Sequence, residues 1–248
     1  MNSENPVALI TGGGRRIGAE IARQLHAHAY NIIIHYRQSQ SEAADLAGQL
    51  NQQRAASATT IGADLTTNAA IKQLAESAEK YWQRLDVLVN NASSYYPTTF
   101  GEVDEQQWED LIATNTKAPF FLSQCLAPAL RQSRGCIVNI VDIHAEKPLP
   151  EYTPYSIAKA GSAMLTKALA RELAPEIRVN GVAPGVIIWP ENAAEHSREE
   201  KLRILSQVPL GREGSAEDIA RTVCFFVRQA PYITGQILAV DGGRNLFL

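Results

Sequence analysis

Tyr155 and Lys159, four residues apart in YSIAK, are a pair able to move a proton. On a helix this spacing puts both side chains on one face, and a nearby ammonium favours phenolate. The expected result is a lowered tyrosine pKa and an acid usable near neutral pH. Upstream, TGGGRRIG runs from Thr11 to Gly18, directly after an apolar run and before an amphipathic one. Glycines there let the backbone approach a pyrophosphate, and an opening helix offers free N–H groups and its positive dipole end. Arg16 stands where the usual dinucleotide fingerprint has a glycine, and its guanidinium can reach phosphates or a substrate carbonyl. About 20 residues on, where a carboxylate would hold the ribose 2′-hydroxyl of NAD, the chain reads His35, Tyr36, Arg37, Gln38, Ser39. With no acid in that segment, Arg37 and Ser39 can take a 2′-phosphate, so NADPH is expected over NADH; the other reading of Arg37 is a solvated loop cation.

Such groups need a scaffold. Short β-branched or apolar runs recur at 6–10, 31–35, 57–61, 86–90, 136–141, 177–182 and 236–240. Longer amphipathic stretches lie between them at 17–29, 41–52, 69–82, 104–131, 155–173 and 216–228. The alternation predicts an α/β fold, a doubly wound, Rossmann-type parallel sheet of about seven strands with helices on both faces. Residues 1–248 read as one NADP-binding domain, 45% hydrophobic and 20% charged, with a substrate loop around 184–206. In that loop Trp189 is either a lid aromatic over the substrate or an ordinary packed or exposed tryptophan.

Composition removes whole classes of function. A net charge of −3 without a Lys/Arg cluster argues against nucleic acid as partner. The polar MNSENP start and the lack of a long apolar run argue against secretion or membrane insertion, so a cytoplasmic protein is expected. Three scattered cysteines read as reduced thiols, and five scattered histidines show no metal-ligand spacing, so no metal is expected. A small-molecule substrate remains.

Taken in order, TGGGRRIG, NNAS at 90–93, Asn115, YSIAK and the VAPG turn at 182–185 resemble the short-chain dehydrogenase/reductase family over essentially the whole chain. The resemblance implies oxidoreduction with a nicotinamide cofactor and a homotetramer packed through the long helices. It implies that Tyr155 is the acid, that Lys159 binds the nicotinamide ribose, and that Asn115 holds a water linking Lys159 to solvent. It implies cofactor contacts from Gly12, Arg15, Arg16 and Ile17, from His35, Tyr36, Arg37 and Ser39, and from Asp64 and Leu65. Asn91, Ala92, Ser93, Lys159, Pro184 and Gly185 complete that set.

One family feature is replaced. The family's catalytic serine, expected about 13 residues before the tyrosine, is here Asp142 in NIVDIHAE. A carboxylate repels a developing oxyanion, but beside a phenol it suits delivery of a proton to a ring nitrogen as hydride reaches the adjacent carbon. The alternative is an Asp that only caps its loop. Within the family, Arg16, the His35-Tyr36 start, NNASSYYP and Asp142 together resemble the pteridine reductases. That resemblance implies a slot in which Tyr95 stacks on a flat pterin, with Ser93 near its edge and Arg16, Asp142, Tyr155 and Trp189 as further substrate contacts. Tyr96 and Pro97 are read as shaping the turn, and His144 as a bystander. The implied reaction is NADPH-dependent reduction of a dihydropterin such as dihydrobiopterin or dihydromonapterin, or of dihydrofolate. The competing reading is a carbonyl or 3-oxoacyl-thioester reductase.

Overall fold

The computed structural model describes residues 4–187 and 198–247. Seven strands form one parallel sheet: β1 (Val7–Ile10), β2 (Asn31–Tyr36), β3 (Ala58–Gly62), β4 (Val87–Asn90), β5 (Cys136–Ile140), β6 (Arg178–Pro184) and β7 (Ile237–Val240). Their order across the sheet is β3-β2-β1-β4-β5-β6-β7, so the winding reverses between β1 and β4. A crevice opens at the carboxyl ends of the strands where winding reverses, and ligands of such sheets bind there. The helices are α1 (Arg16–Ala27), α2 (Gln40–Gln53), α3 (Asn68–Trp82), α4 (Glu105–Ile112), α5 (Ala118–Ser133), α6 (Thr153–Glu172), α7 (Arg198–Leu205) and α8 (Ala216–Arg228).

The strands are continuous apolar runs because both faces of the sheet are covered, while successive side chains still point to opposite faces. Val7, Leu9, Ile33, Leu88, Ile137 and Val179 join the core layer that contains α3 and α5 residues. Ala8, Ile10, Ile32, Ile34, Val89 and Val138 join the opposite layer with α1, α2 and α8. The seven strands and the helices they alternate with fall where the apolar periodicity places them, in a single domain.

Two elements differ from the sequence expectation. The stretch 104–131 is not one helix, because a π-helical turn at Ala113–Lys117 separates α4 from α5. That turn carries Asn115, and π-bulges recur at functional sites. The expected loop at 184–206 contains α7, a short polar helix whose periodicity is too weak to stand out. Trp189 lies outside the described residues.

A buried polar chain fixes α6 against the sheet. Asn90 Nδ2 donates to Asn139 Oδ1 (2.8 Å), Asn139 Nδ2 donates to Thr166 Oγ1 (2.9 Å), and Thr166 Oγ1 donates to the Ser162 carbonyl (3.0 Å). Such groups are stable in a core only when mutually satisfied, so this chain specifies how α6 sits over β4 and β5. The same helix carries Lys159 one turn back from Ser162 and Tyr155 two turns back.

Candidate active site

The glycine-rich turn is held by side chains that follow β1 and β4. Thr11 Oγ1 accepts the Asn91 and Ala92 amides (2.9 and 3.0 Å), and Asn91 Nδ2 donates to the carbonyls of Thr11 and Gly12 (2.9 and 3.0 Å). At Gly18 a Cβ would lie 2.3 Å from the Gly12 oxygen, so only glycine lets α1 start this close to the turn. Arg16 has φ +52°, in the left-handed region that favours glycine. This explains why glycine is usual there and marks a strained backbone at a functional turn. The N-terminus of α1 carries no side-chain cap and no acidic residue in its first turn, which leaves its amides and dipole for an anion.

His35 was expected to contact the cofactor, but both its ring nitrogens are engaged by the protein. Nδ1 accepts the Gly12 N–H (3.1 Å), and Nε2 is placed to donate to the Ala63 carbonyl (3.0 Å). This arrangement requires the neutral Nε2–H tautomer. Burial pushes the imidazole down to about 4, which keeps it neutral. His35 therefore shapes the turn from beneath, and Tyr36 packs its ring against Gly62.

Arg37 is half-exposed and ion-paired to Asp64 (3.2 Å) and Asp110 (3.3 Å). Asp64 also accepts from the amide and hydroxyl of Thr66. The Ser39 hydroxyl makes no cap bond to α2 and faces Gly14 of the glycine-rich turn. Leu65 is buried in the core. Pro184 ends β6, and the Gly185 amide donates to Val240 (3.1 Å), with no room for a Cβ beside Asp241.

The proposed reacting groups converge at the ends of β4 and β5. Asp142 follows β5 in extended backbone; one carboxylate oxygen accepts the His144 amide (2.8 Å) and the other accepts the Tyr155 hydroxyl (2.6 Å). Asp142 thus caps its loop and also accepts from the phenol, so it is not a loop cap alone. Lys159 is buried, and its Nζ donates to the Ile140 carbonyl (3.0 Å) while lying 5.6 Å from the centre of the Tyr155 ring. The expected lowering of the Tyr155 pKa is overturned. Burial first, then the Asp142 carboxylate, hold it well above the ordinary tyrosine range. The i, i+4 spacing places Lys159 on the right face, but its ammonium points to Ile140 and the carboxylate is the nearer charge. Burial pushes Lys159 itself down to about 8, with Asp142 opposing that shift.

Asn115 sits in the π-turn, where Nδ2 donates to the carbonyls of Leu111 (2.9 Å) and Ser94 (3.0 Å) and Oδ1 accepts the Ser93 hydroxyl (2.6 Å). Tyr95 stacks on Tyr152 (4.7 Å between centroids, 18° between planes) and meets Tyr155 edge-on (4.9 Å, 76°). Sequence reasoning missed Tyr152; its place three residues before Tyr155, at the start of the same helix, was the available signal. The segment is fixed in place because Thr98 bridges to Tyr152 and its hydroxyl donates to Glu151 (3.3 Å). Tyr96 anchors to Asp110 (3.2 Å) and the Gln107 carbonyl (3.3 Å), which fits its role in shaping the turn. His144 closes its own loop onto the Lys147 carbonyl (2.8 Å). The three cysteines are free thiols. No cluster of metal-binding side chains exists among the described residues, and none of the described helices is long and apolar enough to cross a membrane.

A family model described as Enoyl-(Acyl carrier protein) reductase matches residues 13–245. Pteridine reductase 1 of Leishmania tarentolae is 38% identical, covering 97% of this chain and 96% of its own. The 3-oxoacyl-[acyl-carrier-protein] reductase FabG of Staphylococcus epidermidis is 37% identical, covering 98% of this chain and 100% of its own. The corresponding FabG of Staphylococcus aureus is 38% identical over 96% of this chain and 98% of its own.

The neutral His35 generates a pH prediction. Its folded pKa of about 4 lies below the unfolded value of 6.5, so from pH 6.5 downward the unfolded chain takes up a proton that the folded chain refuses. Stability is full above 6.5, falls as pH drops towards 4, and the loss levels off at about 3 kcal/mol. Urea denaturation of the unchanged protein and of His35→Gln between pH 7 and 4 checks this. The variant is expected to show a flatter dependence, the difference isolating the histidine from the carboxylates.

Proposed function

Because the chain belongs to the short-chain dehydrogenase/reductase family, we propose that it is an NADPH-dependent pteridine reductase, reducing dihydropterins such as dihydrobiopterin or dihydromonapterin, and dihydrofolate, to tetrahydro forms. The observation that carries this reading is the 2.6 Å hydrogen bond from Tyr155 to Asp142. A carbonyl reductase must stabilise a growing oxyanion, and a carboxylate at that place opposes it. Reduction of C=N instead needs a proton on nitrogen, and a phenol and carboxyl in contact are suited to hold and pass one. The similarity to FabG supports a second reading, a 3-oxoacyl-thioester reductase, against which Asp142 and Tyr95 both argue.

The residues fit a dinucleotide. The uncapped start of α1 and the glycine-rich turn suit the pyrophosphate, and Lys159 suits the nicotinamide ribose. When bound, the reduced nicotinamide supplies the hydride that adds to the carbon of C=N. Tyr155 keeps its proton at neutral pH because its pKa is raised, so it is the acid rather than a phenolate. It gives that proton to the ring nitrogen while Asp142 orients the hydroxyl, and solvent water returns a proton to the phenolate left behind. Asn115 and Ser93 fix the wall beside the pair, and Tyr95, backed by Tyr152, offers its other face to a planar heterocycle.

Arg37 and Ser39 are assigned to the 2′-phosphate of NADPH. Exposed ion pairs such as those of Arg37 with Asp64 and Asp110 are worth about 0–1 kcal/mol each, so a phosphate dianion can replace them. The exposed apolar residues Phe120 on α5 and Ile157 and Met164 on α6 fit subunit contacts in a homotetramer.

Two predictions follow from these assignments. With dihydrobiopterin as substrate, Tyr155→Phe and Asp142→Ala are expected to lower kcat by about 10²- to 10⁴-fold while NADPH affinity, read by fluorescence titration, changes little. Loss of NADPH binding in both variants would make the pair structural. Arg37→Glu is expected to weaken NADPH binding more than NADH binding, and equal losses would remove the phosphate assignment.

A further inference from the structure

Arg244 is a buried charge that neither the fold nor the proton-transfer pair uses. It opens the short 3-10 turn Arg244–Leu246 that follows β7. Its side chain is 9% exposed and its Nε–H has no hydrogen-bond partner. Next to it, Asn245 Oδ1 is also buried and unpartnered; among the described residues these are the two orphaned buried polar atoms. Buried ions are normally paired and hydrogen-bonded, because desolvation opposes them, and an exception asks for a ligand or a function.

The position of this guanidinium is built rather than accidental. Asp241 caps the turn, its two carboxylate oxygens accepting the amides of Gly243 (2.9 Å) and Asn245 (2.7 Å), and its carbonyl accepts the Arg244 amide (3.2 Å). Gly242 and Gly243 lie against Val208 and Pro209 with no space for a Cβ, and Leu210 N–H donates to the Gly242 carbonyl (3.1 Å). The charged and titratable groups acting on Arg244 are Asp142, Tyr95 and Asp241, the first two being the proton-transfer carboxylate and the stacking aromatic of the site. The influence is reciprocal at Tyr95. Both carboxylates already accept from other donors, Asp142 from His144 and Tyr155 and Asp241 from the turn. The guanidinium is left with donors for a third acceptor.

We infer that Arg244 is a substrate-binding residue whose guanidinium takes an oxygen acceptor of the ligand, a ring carbonyl or a carboxylate on the ring's substituent, beside Tyr95 and Asp142. The inference rests on the pteridine reductase reading for the identity of the ring. It supplies what the aromatic slot lacks, since stacking on Tyr95 holds any flat heterocycle and a fixed guanidinium selects one with oxygen at the matching edge.

The test compares Arg244→Met and Arg244→Lys with the unchanged protein, after thermal melting has established that each variant folds. Substrates are dihydrobiopterin, whose substituent is uncharged, and dihydrofolate, whose substituent carries carboxylates. The Met variant is expected to raise KM by about 10- to 100-fold for at least one substrate, the Lys variant to recover part of that loss, and KM for NADPH to stay put. A rise confined to dihydrofolate identifies the carboxylate as the acceptor, and an equal rise for both identifies the ring carbonyl. Substrate KM within twofold in both variants, or a fall in kcat with a shifted pH profile at constant KM, overturns the inference. An unchanged protein that reduces neither substrate refutes the pteridine reductase reading instead. Fluorescence titration of the NADPH-bound proteins with folate then decides for Arg244: weaker binding by the Met variant supports it, and equal or absent binding overturns it.

Discussion

A buried phenol in hydrogen-bond contact with a half-buried carboxylate, at the carboxyl end of a parallel sheet, is costly to assemble, and much of the structure around Tyr155 and Asp142 holds them together. Burial, and after it the Asp142 carboxylate, disfavour the phenolate, so Tyr155 stays protonated where an ammonium-assisted phenol would not. Three supports make this geometry stable. The Asn90, Asn139 and Thr166 chain fixes α6 over the sheet, the Lys159 ammonium is tied to the Ile140 carbonyl, and the His144 amide fixes the carboxylate from behind. The aromatic wall of Tyr95 and Tyr152 covers the remaining side.

The cofactor side obeys a different constraint, close backbone approach. Asn91 and a neutral His35 satisfy backbone groups of the glycine-rich turn, and the Thr11 hydroxyl accepts the amides that follow β4, tying the turn to that strand. The strain at Arg16 sits in that same turn. Backbone strain persists only when its surroundings over-determine it, as the contacts of Gly12 and Gly18 do here. The two halves meet at the switch between β1 and β4, so one topological feature brings the glycine-rich turn and the Tyr155–Asp142 pair to the same crevice.

Much of this was legible in the sequence because it depends on local pattern. Strands covered on both faces must be continuous apolar runs, and the crossover helices between them must be amphipathic, so the fold class followed from periodicity. The positions of Tyr155, Lys159, Asp142 and Asn115 followed from ordered motifs. What was not legible depends on directions and distances that spacing does not encode. Spacing puts Lys159 on the face of Tyr155 but does not say that its ammonium turns to Ile140, so the direction of the Tyr155 shift was inverted. The stretch 104–131 reads as one amphipathic run, and nothing in its residue types announces the π-turn at Ala113–Lys117. His35 reads as a ligand contact when only its place after β2 is known, and as a clamp once both nitrogens are seen occupied. Tyr152 was within reach of the sequence through its place three residues before Tyr155, whereas Arg244 carries no motif and its surroundings are set by tertiary packing.

The central claim is that the Tyr155–Asp142 pair serves reduction of C=N in a flat heterocycle rather than of a carbonyl. The most direct measurement is kcat/KM for NADPH oxidation by the purified protein, with dihydrobiopterin, dihydromonapterin and dihydrofolate set beside an oxoacyl thioester under one set of conditions. The account predicts preferential turnover of a pterin or folate and little or none of the thioester. Turnover of the thioester alone would contradict it, leaving the fold and the family in place and removing the pterin slot.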